Sequence, residues 1–379
     1  MPKLEPPTEY IGAGKLSKLG DIFKSRCIRS CFLVLDSGAY DSSGASKSIG
    51  PLLETLETLT IFSDFAPNPD KISVERALGS ATIPAYDAIL AIGGGTAIDI
   101  AKLVSVSLVD GLPEVVSNPN RIKRNNTLIA VPTTAGTGSE ATHFAVIYIH
   151  GAKHSIAHTD LLPDVSIVDP NLLQSLPSSV AAHTGLDALC QSIESYWGVH
   201  ATPESRRFAS EGLNLAFTHL ENIVNHPDQE SRDGMARAAH LSGRAINISK
   251  TTASHALSYT MTSKFGIPHG LAVALTIGPC LVWNAEVSEN DCIDPRGVLS
   301  VKKSINSLIN HLSCKTPLEA RDWIEQCIKS VGCPTRLTDF GITDRDIDII
   351  AGSVNKERLA NNPRRFDSVD ILNILKEIC

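Results

Sequence analysis

The sequence predicts a two-part protein, in which an α/β domain is followed by an all-helical domain. Strand-like apolar runs alternate with helix-like segments over roughly the first 170 residues. These runs are apolar at nearly every position, which is typical of parallel sheets with both faces covered by helices. Beyond Asp169-Pro170 the strand pattern fades and helical periodicities follow. We therefore place the α/β domain at residues 1–170 and the helical domain at residues 171–379.

The individual elements follow from short apolar runs and their breakers. Strands are predicted at 31–36, 59–62, 86–92, 127–131, 144–149 and 165–168, with a hairpin around His150-Gly151. Helices are predicted at 177–197, 203–225, 230–249, 271–286, 299–311, 316–331 and 343–355. The first of these begins with Pro177-Ser-Ser, a helix start in which serine can cap the first turn.

Composition limits the class of partner. The 379 residues carry a net charge of -7, which argues against nucleic acid or an anionic membrane as the main partner. Nine cysteines without a C-x-x-C pair favour a reducing compartment. The first seven residues lack the charged and apolar regions of a signal peptide, and no run approaches the ~20 apolar residues of a membrane span. We expect a cytoplasmic protein that acts on a small molecule.

A glycine-rich loop follows the predicted third strand and opens a helix. It reads Gly93-Gly-Gly-Thr-Ala-Ile-Asp-Ile-Ala-Lys102. Glycines let the backbone approach a pyrophosphate, and the amides at a helix N-terminus receive its charge. The alternative is a tight strand-to-helix turn. The candidate cofactor-binding residues of this loop are Gly93, Gly94, Gly95, Thr96, Asp99 and Lys102.

A second loop, Pro132-Thr-Thr-Ala-Gly-Thr-Gly-Ser-Glu140, ends the next strand. Ligands of open α/β sheets gather at the carboxyl ends of strands, so both loops indicate a Rossmann-like dinucleotide-binding domain. The second loop contributes four hydroxyl candidates, Thr133, Thr134, Thr137 and Ser139. Asp36 ends an earlier strand, where a carboxylate can bind a ribose hydroxyl and repel a 2′-phosphate, which favours NAD(H). A turn-forming aspartate before Ser37-Gly38 is the alternative.

Four polar side chains of the helical part suit a metal ion. Asp187 and Gln191 are four residues apart in a helical pattern and share one face. His255 and His269 would be about 21 Å apart in one unbroken helix. Gly266 and Pro268 allow the chain to turn between them, so that the imidazoles can meet. This O/N donor set favours Fe(II) or Zn(II). The alternative is a surface aspartate with two core histidines.

These motifs resemble the iron-containing (group III) alcohol dehydrogenase family over nearly the full length, from Pro67-Asn-Pro69 to Pro268-His-Gly270. The resemblance implies dehydroquinate synthase-like architecture, NAD(H), a homodimer, and Asp187, His255 and His269 as metal ligands at the catalytic centre. Where the family usually has a fourth ligand histidine this chain has Gln191, and another family histidine is replaced by Tyr259.

Locally the chain resembles the phosphonoacetaldehyde reductase branch, through Asp187-Ala-Leu-Cys-Gln and Ser249-Lys-Thr-Thr-Ala-Ser-His. That resemblance implies reduction of phosphonoacetaldehyde to 2-hydroxyethylphosphonate. Candidate substrate-binding residues are Lys250, Tyr259 and Lys264, with Lys250 favoured. A general short-chain alcohol dehydrogenase, a lyase with NAD as transient oxidant, and a binding protein without catalysis remain alternatives.

Overall fold

The structure, a computed structural model, describes residues 6–354 and 356–379. The chain divides into two compact units. The first comprises Met1–Pro177 and Pro227–Gly243, and the second comprises Ser178–His226 and Arg244–Cys379. The prediction placed one boundary at residue 170 and did not anticipate that a later helical segment belongs with the first unit.

The strands of the first unit are β1 (Thr8–Ile11), β2 (Ser30–Leu35), β3 (Thr58–Phe62), β4 (Ala88–Gly93), β5 (Thr127–Pro132), β6 (Phe144–Ile149), β7 (Ala152–Ala157) and β8 (Val165–Val168). Six of them form a sheet with the order β1-β8-β5-β4-β2-β3, in which all neighbouring strands are parallel. Strands β6 and β7 form a separate antiparallel hairpin. The six predicted strands and the hairpin are confirmed.

Strand β1 was missed because its sequence, Thr-Glu-Tyr-Ile, is neither an apolar run nor a clean alternation. Among the strands that the structure describes, it pairs only with β8 and is an edge of the sheet. Edge strands are half exposed, so the hydrophobic signal that identifies central strands is weak in them.

Successive side chains of the central strands enter two different cores. Phe32 and Val34 of β2 pack in one core, whereas Leu33 and Leu35 pack in the other. This explains why the strands are apolar at every position. The helices before the hairpin are α1 (Lys18–Ser25), α2 (Ser37–Ser42), α3 (Ala45–Leu53), α4 (Lys71–Gly79), α5 (Gly95–Asp110) and α6 (Leu112–Ser117).

The remaining helices follow the last strand. They are α7 (Ser178–Trp197), α8 (Pro203–Asn225), α9 (Gln229–Ser249), α10 (Ala253–Phe265), α11 (His269–Ala285), α12 (Val298–His311), α13 (Pro317–Ser330), α14 (Asp344–Gly352), α15 (Lys356–Leu359) and α16 (Ser368–Glu377). The helix predicted at 343–355 ends at Gly352, and its last residue lies outside the described residues. Within the described ranges, no helix is long and apolar enough to cross a membrane.

Among the helices after the last strand, α10, α15 and α16 were not predicted. Helix α10 has Ser, Thr or His at many positions, and most of its side chains from Ala253 to Thr262 are buried. A helix buried on most sides has no polar face, so its sequence lacks the 3.6-residue alternation on which the prediction rested.

Candidate active site

Three donor side chains of the second unit converge. Asp187 lies on α7, His255 on the first turn of α10, and His269 is the first residue of α11. One donor atom from each lies within 4.8 Å of the others. His255 Nε2 is 3.3 Å from Asp187 Oδ1, and the two imidazole centroids are 5.4 Å apart. The expected approach of the two histidines is therefore confirmed.

The turn between the histidines depends on Gly266. Gly266 has φ 70° and ends α10, with its amide bonded to the carbonyl of Thr262. The amide of Ile267 reaches back to the carbonyl of Met261 at 3.2 Å, so the chain reverses directly at the end of α10. Pro268 then precedes the first residue of α11. This reversal brings His269 beside Ser258, one turn after His255.

Each imidazole is oriented through its Nδ1 atom. His255 Nδ1 contacts the carboxylate of Glu194, which is fully buried on α7. Ser258 Oγ donates to the carbonyl of His255 at 2.8 Å and lies 3.2 Å from His269 Nδ1. Because that hydroxyl has one proton, it accepts from His269 Nδ1. Both rings therefore use Nδ1 for orientation, which assigns Nε2 as their donor atom.

Glu194 is held by several donors at once. Its Oε1 accepts from Thr252 Oγ1 at 2.7 Å and from the amide of Ser254 at 3.0 Å. Burial disfavours the charged form of His255, but the charge of Glu194 and the hydrogen bonds with Asp187 and Glu194 raise the pKa of His255 to about 9. A bound cation replaces that proton and benefits from the same negative charge.

Gly270 allows α11 to approach α7 closely enough to build this cluster. A Cβ atom at Gly270 would lie 1.9 Å from the carbonyl oxygen of His183 and 2.9 Å from Cβ of Asp187. No side chain fits there without moving backbone. The Pro-His-Gly sequence thus supplies a turn, a donor and a close helix contact in three consecutive residues.

The residues present fit a divalent metal ion. One carboxylate and two neutral imidazoles are a common donor set for first-row metals. Ligands about 2.0–2.2 Å from one ion are roughly 3.3 Å apart at a tetrahedral angle, close to the separation of His255 Nε2 and Asp187 Oδ1. Gln191 lies one helical turn from Asp187 on α7 and is only 3% exposed. Its place as a fourth ligand stays a prediction.

Two of the predicted substrate-binding residues, Tyr259 and Lys264, lie in different surroundings. The ring of Tyr259 is partly buried, with its centroid 6.4 Å from that of His269. Lys264 is exposed on the last turn of α10, nine residues and about 13.5 Å of helix from His255. Its ammonium lies 5.8 Å from the ring centroid of Phe265. We therefore do not retain Lys264 as a substrate contact.

In the first unit, the two glycine-containing loops touch. A Cβ atom at Gly94 would lie 3.2 Å from the Thr134 methyl group, and one at Gly95 would lie 2.8 Å from that of Thr137. Gly93 is buried, and a Cβ there would lie 2.6 Å from Ala97. Gly93 and Gly95 are therefore required by packing, which supports the turn alternative, and their contact with a cofactor stays a prediction.

Three predicted cofactor residues are instead bound to protein, which corrects the expectation for them. Lys102 is fully buried, and its Nζ lies 2.7–3.1 Å from five oxygens of Ser139, Thr142 and Phe144. Burial lowers the pKa of Lys102 to about 8, against the opposing charges of Asp99 and Glu140. Asp99 accepts from Ser139 Oγ and from the amide of Val146. Asp99, Lys102 and Ser139 therefore hold the second loop.

Other atoms of the two loops fit a dinucleotide. Helix α5 begins after Gly94 without a side-chain cap, so its first amides can receive an anion. Thr133 Oγ1 is buried and has no hydrogen-bond partner among the described residues. Thr96, Thr134 and Thr137 are partly exposed. These groups remain our predicted cofactor contacts.

Asp36 has the turn-forming role that was weighed for it, and its ribose-binding role stays a prediction. Its Oδ1 accepts from the amide of Ala39 at 3.0 Å and caps α2. The residue is nevertheless exposed at the carboxyl end of β2, where a ribose can be bound.

Replacing Asp36 by asparagine should raise the NADPH/NADH ratio of kcat/KM by about 10-fold or more, the equivalent of roughly 1.4 kcal/mol. Asparagine keeps the helix cap, so the change isolates the charge. Steady-state rates with both cofactors give the ratio. Asp41→Asn, which removes the same charge from α2, is the matched control. A wild type that already prefers NADPH would contradict the role of Asp36.

Two residues of these sites were missed in the sequence. Glu194 is seven residues after Asp187, so Asp187, Gln191 and Glu194 form one polar stripe on an otherwise buried helix. That i, i+4, i+7 spacing was a readable signal. Asn68 has φ 67° and donates its amide to Thr96 Oγ1 at 3.2 Å. A side-chain contact between distant loops leaves no periodic signal.

Comparison with known proteins identifies the class of protein to which this fold and site belong. Residues 6–170 match the family model for iron-containing alcohol dehydrogenases, and residues 181–379 match the C-terminal model of the same family. The chain belongs to the iron-containing alcohol dehydrogenase family. Family and relatives indicate an NAD-dependent alcohol or aldehyde dehydrogenase, rather than the lyase considered above.

Three individual proteins show which members of the family this chain resembles in sequence or in structure. The chain is 34% identical over 343 residues to a phosphonoacetaldehyde reductase of Streptomyces viridochromogenes, covering 86% of this chain and 84% of the relative. It is 30% identical over 366 residues to alcohol dehydrogenase 4 of Schizosaccharomyces pombe, covering 94% and 84%. Its structure is similar to that of a sulfoacetaldehyde reductase from Bifidobacterium kashiwanohense in complex with NAD+, with a TM-score of 0.87, 28% identity, and coverage of 99% and 97%.

Proposed function

We propose that this protein is an iron-dependent NADH:aldehyde oxidoreductase whose substrate is a short aldehyde with an anionic group, phosphonoacetaldehyde in the first place. The donor cluster of Asp187, His255 and His269 supports the oxidoreductase part. Among the described residues it is the one group of three such donors that could hold an ion. The relative named for phosphonoacetaldehyde supports the substrate part.

When bound, the metal supplies Lewis acidity toward a carbonyl oxygen and the nicotinamide supplies a hydride. Asp187, His255 and His269 hold the metal, with Gln191 as the proposed fourth ligand. Glu194 and Ser258 fix the two imidazoles through Nδ1. Thr133, Thr134 and Thr137 bind the dinucleotide together with the first amides of α5. A further side chain is needed to bind the anionic group of the substrate.

Lys250 is our proposed anion-binding residue, and its backbone supports the choice. It follows α9 with φ 59°, a left-handed conformation that glycine adopts without strain. A side chain in this conformation costs about 1 kcal/mol. Residues in such strained conformations cluster at functional sites, which supports a binding role for Lys250. The turn is fixed by Asn361, whose Nδ2 donates to the carbonyls of Ser249 and Thr251 at 2.8 and 3.0 Å.

The surroundings of Lys250 are positively charged. Burial and the charges of Lys250 and Arg296 lower the pKa of His200. The Nη2 atom of Arg206 is buried without a hydrogen-bond partner among the described residues. Arg296 is neutralised by Asp294, with 2.9 Å between Nε and Oδ1. Lys250 and Arg206 have no such ion pair among the described residues, so an anion with several acceptor oxygens suits this region.

Substrate charge is the test of this proposal. Phosphonoacetaldehyde should be reduced with a much higher kcat/KM than propanal, because remote binding energy positions the carbonyl. Lys250→Met should lower kcat/KM for phosphonoacetaldehyde by about 1.5–3 kcal/mol, or roughly 10- to 150-fold. Propanal should be little affected. NADH oxidation by the iron-loaded enzyme measures all four values.

Two additions make the assay specific. Lys264→Met is the matched control, since it removes an exposed ammonium elsewhere on the second unit. Sulfoacetaldehyde distinguishes a phosphonate from a sulfonate substrate, which the similar reductase structure makes relevant. Equal losses on both aldehydes would give Lys250 a structural role. Equal wild-type rates for charged and uncharged aldehydes would leave a general short-chain alcohol dehydrogenase, and no turnover at all would favour a binding protein.

A further inference from the structure

Three ionisable side chains of the first unit form a cluster that the proposed chemistry does not use; two of them are buried and Glu9 is partly buried. His240 lies on α9 within the segment that belongs to the first unit, and it is 1% exposed. Its Nδ1 is 3.0 Å from Glu140 Oε1, and its Nε2 is 3.1 Å from Glu9 Oε1. The imidazole thus bridges a carboxylate of strand β1 and the carboxylate that ends the second cofactor loop.

The bridge is ionic. Burial disfavours a charged imidazole, but the hydrogen bond with Glu140 and the negative charges of Glu140 and Glu9 raise the pKa of His240 to about 9. At neutral pH, one imidazolium therefore lies between two carboxylates. A buried ionic group of this kind contributes little net stability compared with apolar side chains of the same size, whereas removing one partner leaves a buried charge uncompensated. The effect of these charges is instead to hold His240, Glu140 and Glu9 in fixed positions relative to one another.

The same helix also touches the loop through its backbone. Gly243 follows His240 by one turn of α9, and a Cβ atom there would lie 2.4 Å from the carbonyl oxygen of Gly138. Gly138 has φ 59°, and a Cβ there would lie 2.5 Å from Cα of Gly243. The two glycines therefore allow direct contact between helix and loop. His240 binds Glu140, which lies two residues after Gly138 in the loop.

The loop that is held in this way carries the proposed dinucleotide contacts. Its end is fixed by Lys102, which donates to the carbonyl of Ser139 at 2.7 Å, and by Ser166, whose hydroxyl donates to the carbonyl of Glu140 at 2.5 Å. The buried hydroxyl of Thr133 and the partly exposed Thr134 and Thr137 belong to the same loop. Movement of Glu140 would therefore displace the groups that face the cofactor.

We propose that His240 is a positioning residue for the dinucleotide, which compensates Glu140 and Glu9 and thereby holds the 133–140 loop in its NAD(H)-binding geometry. The proposal rests on the NADH-binding function proposed for this loop. It assigns a role in the reaction to a helical segment that lies far from the loop in sequence and touches no reacting atom.

The primary test is the affinity of the iron-loaded full-length protein for NADH. His240→Gln should raise the Kd of NADH, measured by fluorescence titration, by about 10- to 100-fold, because small misplacement of binding groups has effects of this size. KM for NADH should rise in parallel, while kcat at saturating NADH and the iron content stay at wild-type values. His219→Gln on α8, in the second unit, is the control. A merely structural histidine would lower the melting temperature without this selective rise in Kd and KM.

A charge-compensated variant provides the second arm. In His240→Gln/Glu140→Gln, the more deeply buried carboxylate is removed together with the imidazolium, and the partly exposed Glu9 can be solvated. NADH affinity should therefore return to near the wild-type value even if the single variant is insoluble. A double variant that is insoluble, or that binds NADH as weakly as the single variant, would overturn the proposal. Unchanged affinity in His240→Gln would overturn it as well. Failure of the wild type to bind NADH would instead overturn the proposed function, and this inference with it.

Discussion

Replacing a proposed metal ligand should abolish catalysis while the dinucleotide still binds. For His269→Ala and Asp187→Asn, we expect loss of bound iron and a fall in kcat/KM of at least about 10³-fold, since a Lewis acid contributes several kcal/mol to such a reaction. NADH affinity should persist because the cofactor loops belong to the other compact unit. Elemental analysis, aldehyde reduction and NADH fluorescence measure the three quantities.

The appropriate comparison for these variants is another histidine of the second unit that lies outside the donor cluster. His219→Ala on α8 meets that condition and should keep both iron and activity. If His269→Ala and Asp187→Asn retained iron at wild-type stoichiometry, the ligand assignment would be incorrect. If they lost NADH binding as well, the independence of the two sites would be disproved.

The second large effect is expected at Glu194, which contacts no substrate. Glu194→Gln keeps the size of the side chain but removes the charge that orients and polarises His255 through Nδ1. Loss of such a partner typically lowers metal affinity by about 10- to 100-fold. Competition with a chelator of known iron affinity should show this decrease directly, independently of turnover.

A carboxylate of the same helical unit provides the control for Glu194. Glu211 on α8 is half exposed and paired with Arg207 at 3.0 Å, so Glu211→Gln changes the same functional group without touching His255. It should leave iron affinity unchanged. Equal iron affinity in Glu194→Gln and the wild type would show that the fixed position of the backbone alone orients His255.

The features that were predicted best from the sequence are those that depend on residues close together in the chain. The continuous apolar strands, the turn at Gly266 and the convergence of His255 with His269 all follow from rules that act over a few residues. Glu194 could have been predicted from its helical spacing relative to Asp187. The alternation of β2 between two cores explains why the parallel sheet was predictable.

The roles of Lys102 and Asp99 could not be predicted in the same way. Both lie in a motif that resembles a phosphate loop, yet their polar atoms bind the 139–146 segment. Which side of α5 faces a neighbouring loop depends on tertiary packing, and residue type alone does not reveal it. Similarly, nothing near His240 in the sequence indicates Glu9, which is more than 200 residues away and reaches it only through the sheet.

The division of α9 between the two compact units has a consequence for synthesis of the chain. The first unit includes Pro227–Gly243, although its sheet is complete once β8 has formed. A nascent chain that has passed Pro177 therefore holds every strand, but it lacks the helical segment that carries His240 and Gly243. Domains that are continuous in sequence can fold one after another as they leave the ribosome. In this chain, the last segment of the α/β unit is synthesised only after α7 and α8, which belong to the other unit. The α/β unit is therefore completed only after those two helices have been made.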